Sequence, residues 1–319
     1  MNFLRGLTLN ERYYTEIVGP LLKQYDPTLR YSASLIGYGS DVLGYDNATS
    51  MDHNWGPRMQ IFVGKDDAGR MDEIKAYLCV HLPGEFLHKE VSQLSNLDWL
   101  CIPEQKLVEV TSGRVFYDGL GRLNQMRAAL RYYPHDVKLV KLAAYWDCVS
   151  NEEAFVGRAV EFGDLVGLKM LAARMVSVML KVCFVLKERY NPYSKWFTRG
   201  FDDLGLPEIK AQASAVLCEN EAAAIESKLA ELYMMVLGLQ NASAGVPRVE
   251  RVISDYYNRP YKVIKAGEIV DSLRDAIVDE QLRSIDLTLV GLDNKLDSSD
   301  FTNGDVLGIV LGPGSRKAR

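Results

Sequence analysis

The clearest chemical content in this chain lies in Gly39-Ser40, followed after eleven residues by Asp52-His53-Asn54. The apolar run YSASLIG, residues 31–37, leads into the Gly-Ser pair, and RMQIFV, residues 58–63, follows the Asp52 triplet. Both runs read as strands. Side chains at alternate positions of a strand point to one face. Asp52 and Asn54 are therefore expected on one face, with His53 turned to the other. A second constellation is Arg158, Glu161 and Asp164, whose spacing puts them on one face of a helix. It is either a ligand-facing set or the wet side of that helix. A third is YNPYSKW, residues 190–196, where Pro192 breaks a helical pattern. Lys195 there either grips a phosphate as a point charge or carries its ammonium to water while Tyr193 and Trp196 pack.

The layout of strand, Gly-Ser turn and acidic triplet resembles that of polymerase-beta-type nucleotidyltransferases. More specifically, GSDVLGYDNATSMDHNWGPRMQIFV resembles the signature of the DUF4037 family, a branch of that superfamily. Further segments resemble the same family: TSGRVFYDGLGRLNQMRAALRYYPHDV, GRAVEFGDLVGLKMLAARMVSVMLKVCFVLKERYNPYSKWF, and RPYKVIKAGEIVDSLRDAIVDEQL with the SIDLTLVGLDNKLDSSDF run behind it.

The resemblance implies an α+β chain, with a nucleotidyltransferase-type mixed-sheet domain followed by an α-helical bundle domain. It implies transfer of a nucleoside monophosphate from an NTP, expected to be ATP, to a hydroxyl on a small molecule or a protein. Mg2+ or Mn2+ would be the cofactor. Gly39 and Ser40 would cradle the triphosphate, Arg158 and Lys195 would contact the nucleotide, and Asp52, Asn54 and Glu90 would hold metal. Glu109 competes with Glu90 for the third carboxylate. Glu161 corresponds to the general base that related aminoglycoside nucleotidyltransferases draw from their helical domain. One departure stands out. The family pattern is Asp-His-Asp, and here Asn54 offers a single neutral carbonyl oxygen where a carboxylate has two charged ones. Either the site is weakened, leaving a nucleotide-binding or protein-interaction module, or other carboxylates rebuild it.

The elements that must position these residues are legible in outline. Thr8 and Glu11 form a capping-box pattern for a helix from Thr8 to about Tyr25. Residues 72–81 read as helix and 106–117 as strand. Helical periodicity then dominates at 136–149, 152–190, 207–241 and 266–282. This places a domain boundary near residue 140: residues 1–140 form the sheet domain and 141–312 the helical domain. Residues 313–319, within the tail GPGSRKAR, are expected to be disordered.

Composition narrows the classes. Of 319 residues, 48% are hydrophobic and 25% charged, as in an ordinary globular protein, and the net charge is -5. No block of clustered Lys and Arg is present to neutralise duplex phosphates, so duplex nucleic acid is not an expected partner. The five cysteines form no C-x-x-C pair and read as reduced thiols of a cytoplasmic protein. The apolar stretch 165–186 is interrupted by Lys169, Arg174 and Lys181, which argues for a buried helix and against a membrane span. His81 and His88 lack metal-ligand spacing. The Asp-rich run 293–300 fails the EF-hand pattern, and no Ser-His-Asp set or G-x-S-x-G elbow occurs.

Overall fold

The computed structural model describes residues 3–52, 56–78 and 94–295. The chain is α+β and divides into two compact units. The first comprises Met1–Leu94 and Gln105–Arg131, and the second Ser95–Glu104 and Tyr132–Arg319. The helical unit thus begins at Tyr132 and also claims the ten-residue segment Ser95–Glu104.

The first unit opens with helix α1 (Gly6–Tyr13), a π-helical turn (Tyr14–Val18) and α2 (Gly19–Tyr25) in continuous succession. Inside the π turn the Thr15 hydroxyl donates back to the carbonyls of Glu11 and Arg12, a local competitor of regular helix bonding. The helix starts two residues before Thr8 and has no side-chain cap from its own sequence. Instead the Gly6 amide donates to Asp46 Oδ2 at 2.6 Å, and Glu11 pairs with Arg114. Long-range carboxylate and guanidinium partners have displaced the local capping box.

Strand β1 (Tyr31–Leu35) lies between β2 (Gln60–Val63) and β3 (Arg114–Asp118). Both neighbours run antiparallel to it, so among the described residues the sheet is not mixed as expected. Its core packs Val18 and Leu22 from the helices against Tyr31, Ala33, Met59, Ile61 and Ile74. Residues 106–117 are not one strand. Helix α5 (Glu104–Thr111) occupies the first part and β3 the last. The β-branched run LVEVT invites a strand reading, yet Leu107, Val108 and Val110 are buried at helical spacing. Gly113, at φ +73°, then turns the chain, and a Cβ there would lie 2.0 Å from the Leu35 carbonyl oxygen. The Arg127 guanidinium caps the helix end by donating to the carbonyls of Thr111 and Ser112, both at 2.9 Å.

The second unit is built on α7 (His135–Glu161) and α8 (Leu165–Leu186), a long antiparallel pair. Lys138 reaches Glu188, and the Tyr132 hydroxyl donates to the Val185 carbonyl, which sets the end of α8 beside the start of α7. The helix break expected near residue 150 is absent. It falls instead at Phe162–Asp164, where Gly163 has φ +64°. The amide of Gly163 donates to Val160 O and that of Asp164 to Ala159 O, the paired bonds of a Schellman motif. Helices α10 (Pro207–Cys218) and α11 (Ala222–Asn241) replace the single helix expected over 207–241, with Glu221 capping the second through the Ala224 amide. A hairpin, β4 (Ser254–Tyr256) and β5 (Arg259–Val263), precedes α12 (Ala266–Asp275). Among the described residues no helix is long and apolar enough to cross a membrane.

Candidate functional site

At the end of β1 the chain enters a tightly held loop. The side-chain amide of Gln60 brackets Ile36, accepting from its N–H at 3.1 Å and donating to its carbonyl at 2.9 Å. Gly37 (φ +101°) donates its amide to the Glu109 carbonyl, and Gly39 follows at φ +146°. From Gly39 the backbone coils into a helical turn, with Leu43 N–H donating to Gly39 O and Tyr45 N–H to Ser40 O.

Against that turn lies an ion pair whose acid is buried and whose base is half-buried. Arg58 Nη2 donates to Asp41 Oδ1 at 2.6 Å and to the Tyr38 carbonyl at 3.4 Å. Asp41 is 3% exposed. Burial pushes its carboxyl above the ordinary carboxylate range, against the pull of Arg58 and the Val42 amide. A Cβ at Gly39 would sit 2.3 Å from Asp41 Oδ1 and 2.7 Å from Arg58 Nη2, so a larger residue would have to displace the ion pair and would also be strained at φ +146°. Asn10 ties the arrangement to α1, donating to the Gly6 carbonyl and accepting from the Arg58 amide. Sequence reasoning picked out Gly39 and Ser40 but missed Asp41 and Arg58. In the sequence Arg58 opens the expected strand RMQIFV and carries no other signal.

Asp52 closes a 3-10 turn, Ala48–Asp52, eight residues ahead of β2. The Asn47 side chain starts this turn by accepting from the amides of Thr49 and Ser50. The strand-end alternation expected for Asp52 thus does not describe its backbone. Asn54, His53 and Glu90 lie outside the described residues. Glu109 is on α5 and not on a strand. Its backbone carbonyl touches the loop at Gly37, while its carboxylate accepts from Lys106 Nζ at 3.0 Å and Gln105 Nε2 at 3.3 Å. Among the described residues no three acidic, His or Cys side chains form a metal-binding group.

In the helical unit Arg158 and Glu161 share the last turn of α7. Asp164 does not continue their face. It is the N-cap of α8, accepting from the Gly167 amide at 2.9 Å. Glu161 is exposed and accepts a hydrogen bond from the Tyr261 hydroxyl on β5. Gly157 makes this contact possible. A Cβ there would lie 2.5 Å from Tyr261 Cβ and Cγ, so only glycine lets the hairpin lie flat on α7. The Glu161 carboxylate raises the Tyr261 phenol above its usual pKa, with burial adding to the effect and Arg259 and Arg158 opposing it. The Arg259 guanidinium lies 5.8 Å from the Tyr261 ring centre and that of Arg158 5.4 Å from Phe162. Tyr261 and Arg259 were not singled out from sequence. The alternation in RPYKV, with Tyr261 and Val263 buried, is the signal that marks Tyr261; Arg259 is exposed and carries no such signal.

Lys195 is exposed and stacks its ammonium 5.2 Å from the Trp196 ring. The adjacent Phe197 ring packs 5.3 Å from Phe184. Phe184 is nineteen residues along α8 from Leu165, about 28 Å at the helical rise. Glu161 and Lys195 therefore belong to opposite ends of the α7–α8 pair. The structure joins Arg158 to Glu161 and keeps Lys195 apart from both.

Residues 99–197 match the family model described as Domain of unknown function (DUF4037), which supports membership of that family. The matched stretch carries Arg158, Glu161 and Lys195 but not the Gly39–Asp52 segment. No curated protein and no solved structure matches the chain.

Proposed function

We propose that the chain is a Mg2+-dependent nucleotidyltransferase that moves a nucleoside monophosphate from an NTP to a hydroxyl acceptor. The observation that carries this reading is the Gly39–Ser40 turn. It lies a few residues beyond the central strand, packs against the Asp41–Arg58 pair, has a backbone at Gly39 that disfavours any side chain, and precedes the turn that bears Asp52. Such a turn offers backbone amides and a hydroxyl to phosphate oxygens at close range.

By residue type, the ligands proposed from the resemblance, Asp52, Asn54 and Glu90, would offer only oxygen donors, which suits Mg2+ or Mn2+. When bound, the ion would neutralise phosphate charge and polarise the reacting phosphorus. The chain's own residues supply the rest. Ser40 and the loop amides hold the triphosphate. A general base takes the proton of the acceptor hydroxyl as the acceptor oxygen bonds to the α-phosphorus and the bond to pyrophosphate breaks; the family resemblance gives that role to Glu161. Arg158, one turn before Glu161, is a cation for the nucleotide or for an anionic acceptor. Lys195 belongs to a different part of the helical unit and in this reading contacts nucleotide only if the ligand extends there.

Asn54 favours a second reading, in which the fold binds nucleotide without turning it over. Incubation with each NTP labelled at the α-phosphate, with Mg2+ or Mn2+ and a cell extract, separates the two. Labelled product together with released pyrophosphate supports the enzyme, and nucleotide retention without product supports the module.

A further inference from the structure

We infer that Arg58 is an anion-binding residue of the Gly39–Ser40 turn, meeting the triphosphate itself and held for that purpose by Asp41. This rests on the triphosphate seat proposed above. Three features of the structure lead to it. The guanidinium lies against the turn, 2.7 Å from where a Gly39 Cβ would project. Its side chain keeps 29% of its surface exposed, whereas that of its partner Asp41 keeps only 4%. The acid is thus sealed beneath the loop, and the base is not.

One further contact holds the guanidinium: the Tyr38 carbonyl accepts from the same Nη2. The backbone below it is tied separately, with the Arg58 amide donating to Asn10. A cation held by a buried carboxylate loses little rotamer freedom when an anion arrives, and a guanidinium matches phosphate geometry. The other acid near the pair, Asp46, spends one oxygen on the Gly6 amide at the start of α1, where the helix end favours negative charge. Arg58 is therefore the cation of the described ion-pair network that the loop can offer to a ligand.

The two halves of the pair make the inference testable, because they act in opposite directions on an anion. Binding of inorganic tripolyphosphate in the presence of Mg2+ is measured by calorimetry for the unaltered protein, Arg58→Met, Arg58→Lys and Asp41→Asn. Thermal melts of each variant register the structural cost of breaking the pair. Arg58→Met is expected to weaken binding by about tenfold or more, the effect of losing charge-assisted hydrogen bonds. Arg58→Lys should recover part of that loss. Asp41→Asn keeps an acceptor for the guanidinium but removes a negative charge beside the ligand, so it should tighten binding severalfold even if it melts earlier. Two outcomes overturn the inference alone: tripolyphosphate binding unchanged in Arg58→Met, or equal weakening in Arg58→Met and Asp41→Asn that tracks their melting temperatures. If the unaltered protein binds no tripolyphosphate, the triphosphate seat and the role of Arg58 fall together.

Discussion

The Tyr261 hydroxyl donates a hydrogen bond to the Glu161 carboxylate across 100 residues of sequence. Gly157, one helical turn before Glu161, is the residue that permits it. Gly157→Ala should force the Tyr261 ring away from α7 and cost about 1–3 kcal/mol, the range for overpacking a close contact. Tyr261→Phe removes the hydroxyl without crowding and should cost less. Urea denaturation of the three proteins checks this order. A Gly157→Ala protein as stable as the parent would show that the hairpin has room to spare.

A second expectation concerns the buried centre of the helical unit. Lys141 Nζ donates to Glu104 Oε2 at 2.6 Å and to the Tyr133 hydroxyl at 3.0 Å, and both charged side chains are nearly inaccessible. The remaining capacity of Glu104 is filled by the Asn191 amide and Asn294 Nδ2. Lys141→Met should therefore strand a buried carboxylate and cost about 3–5 kcal/mol. Adding Glu104→Gln should return part of that stability. A double-mutant cycle with no coupling would contradict the reading of this network as a brace.

The pair beneath the loop predicts a pH signature. Burial raises Asp41, so the folded protein holds its proton more tightly than the unfolded chain. The associated stability is complete below the unfolded value near pH ~4 and is lost as pH rises through the folded value. Asp41→Asn stays neutral throughout. Its stability relative to the parent should climb as pH rises from about 4 toward neutrality. Denaturation curves across that window measure the difference, and a constant or falling difference would mean that Arg58 outweighs burial.

What the sequence makes legible here is local layout. The Gly39-Ser40 pair stands out because it follows an apolar run, and the structure places it in the loop after β1. The expected strand position of Asp52 fails because the Asn47 side chain starts a 3-10 turn that ends at Asp52. Asp164 was grouped with Arg158 and Glu161 because apolar periodicity continues on both sides of Gly163. The Gly-Asp pair is itself a helix stop followed by a cap, and that local signal outranks the periodicity. Arg58 is not legible for a different reason: it acquires its role from Asp41, 17 residues away in sequence.

Asn54 carries a prediction from sequence chemistry alone. If it binds metal as a neutral oxygen donor, Asn54→Asp should tighten Mg2+-dependent nucleotide binding by roughly tenfold, taking hydrogen bonds to charged groups as a guide to the gain. Calorimetry with and without Mg2+ reads the effect. An unaltered protein that turns over well and loses activity on Asn54→Asp would instead make asparagine the working ligand.

The central claim is that the Gly39–Ser40 turn and Asp52 together hold a metal-bound triphosphate. Its most direct test is a crystal structure of the protein with Mn2+ and a non-hydrolysable NTP, with the ion located by anomalous scattering. A manganese peak at the Asp52 carboxylate, with phosphate oxygens against the amides of the Gly39–Ser40 turn, is the expected result. Nucleotide and metal bound elsewhere, with that turn untouched, would contradict it.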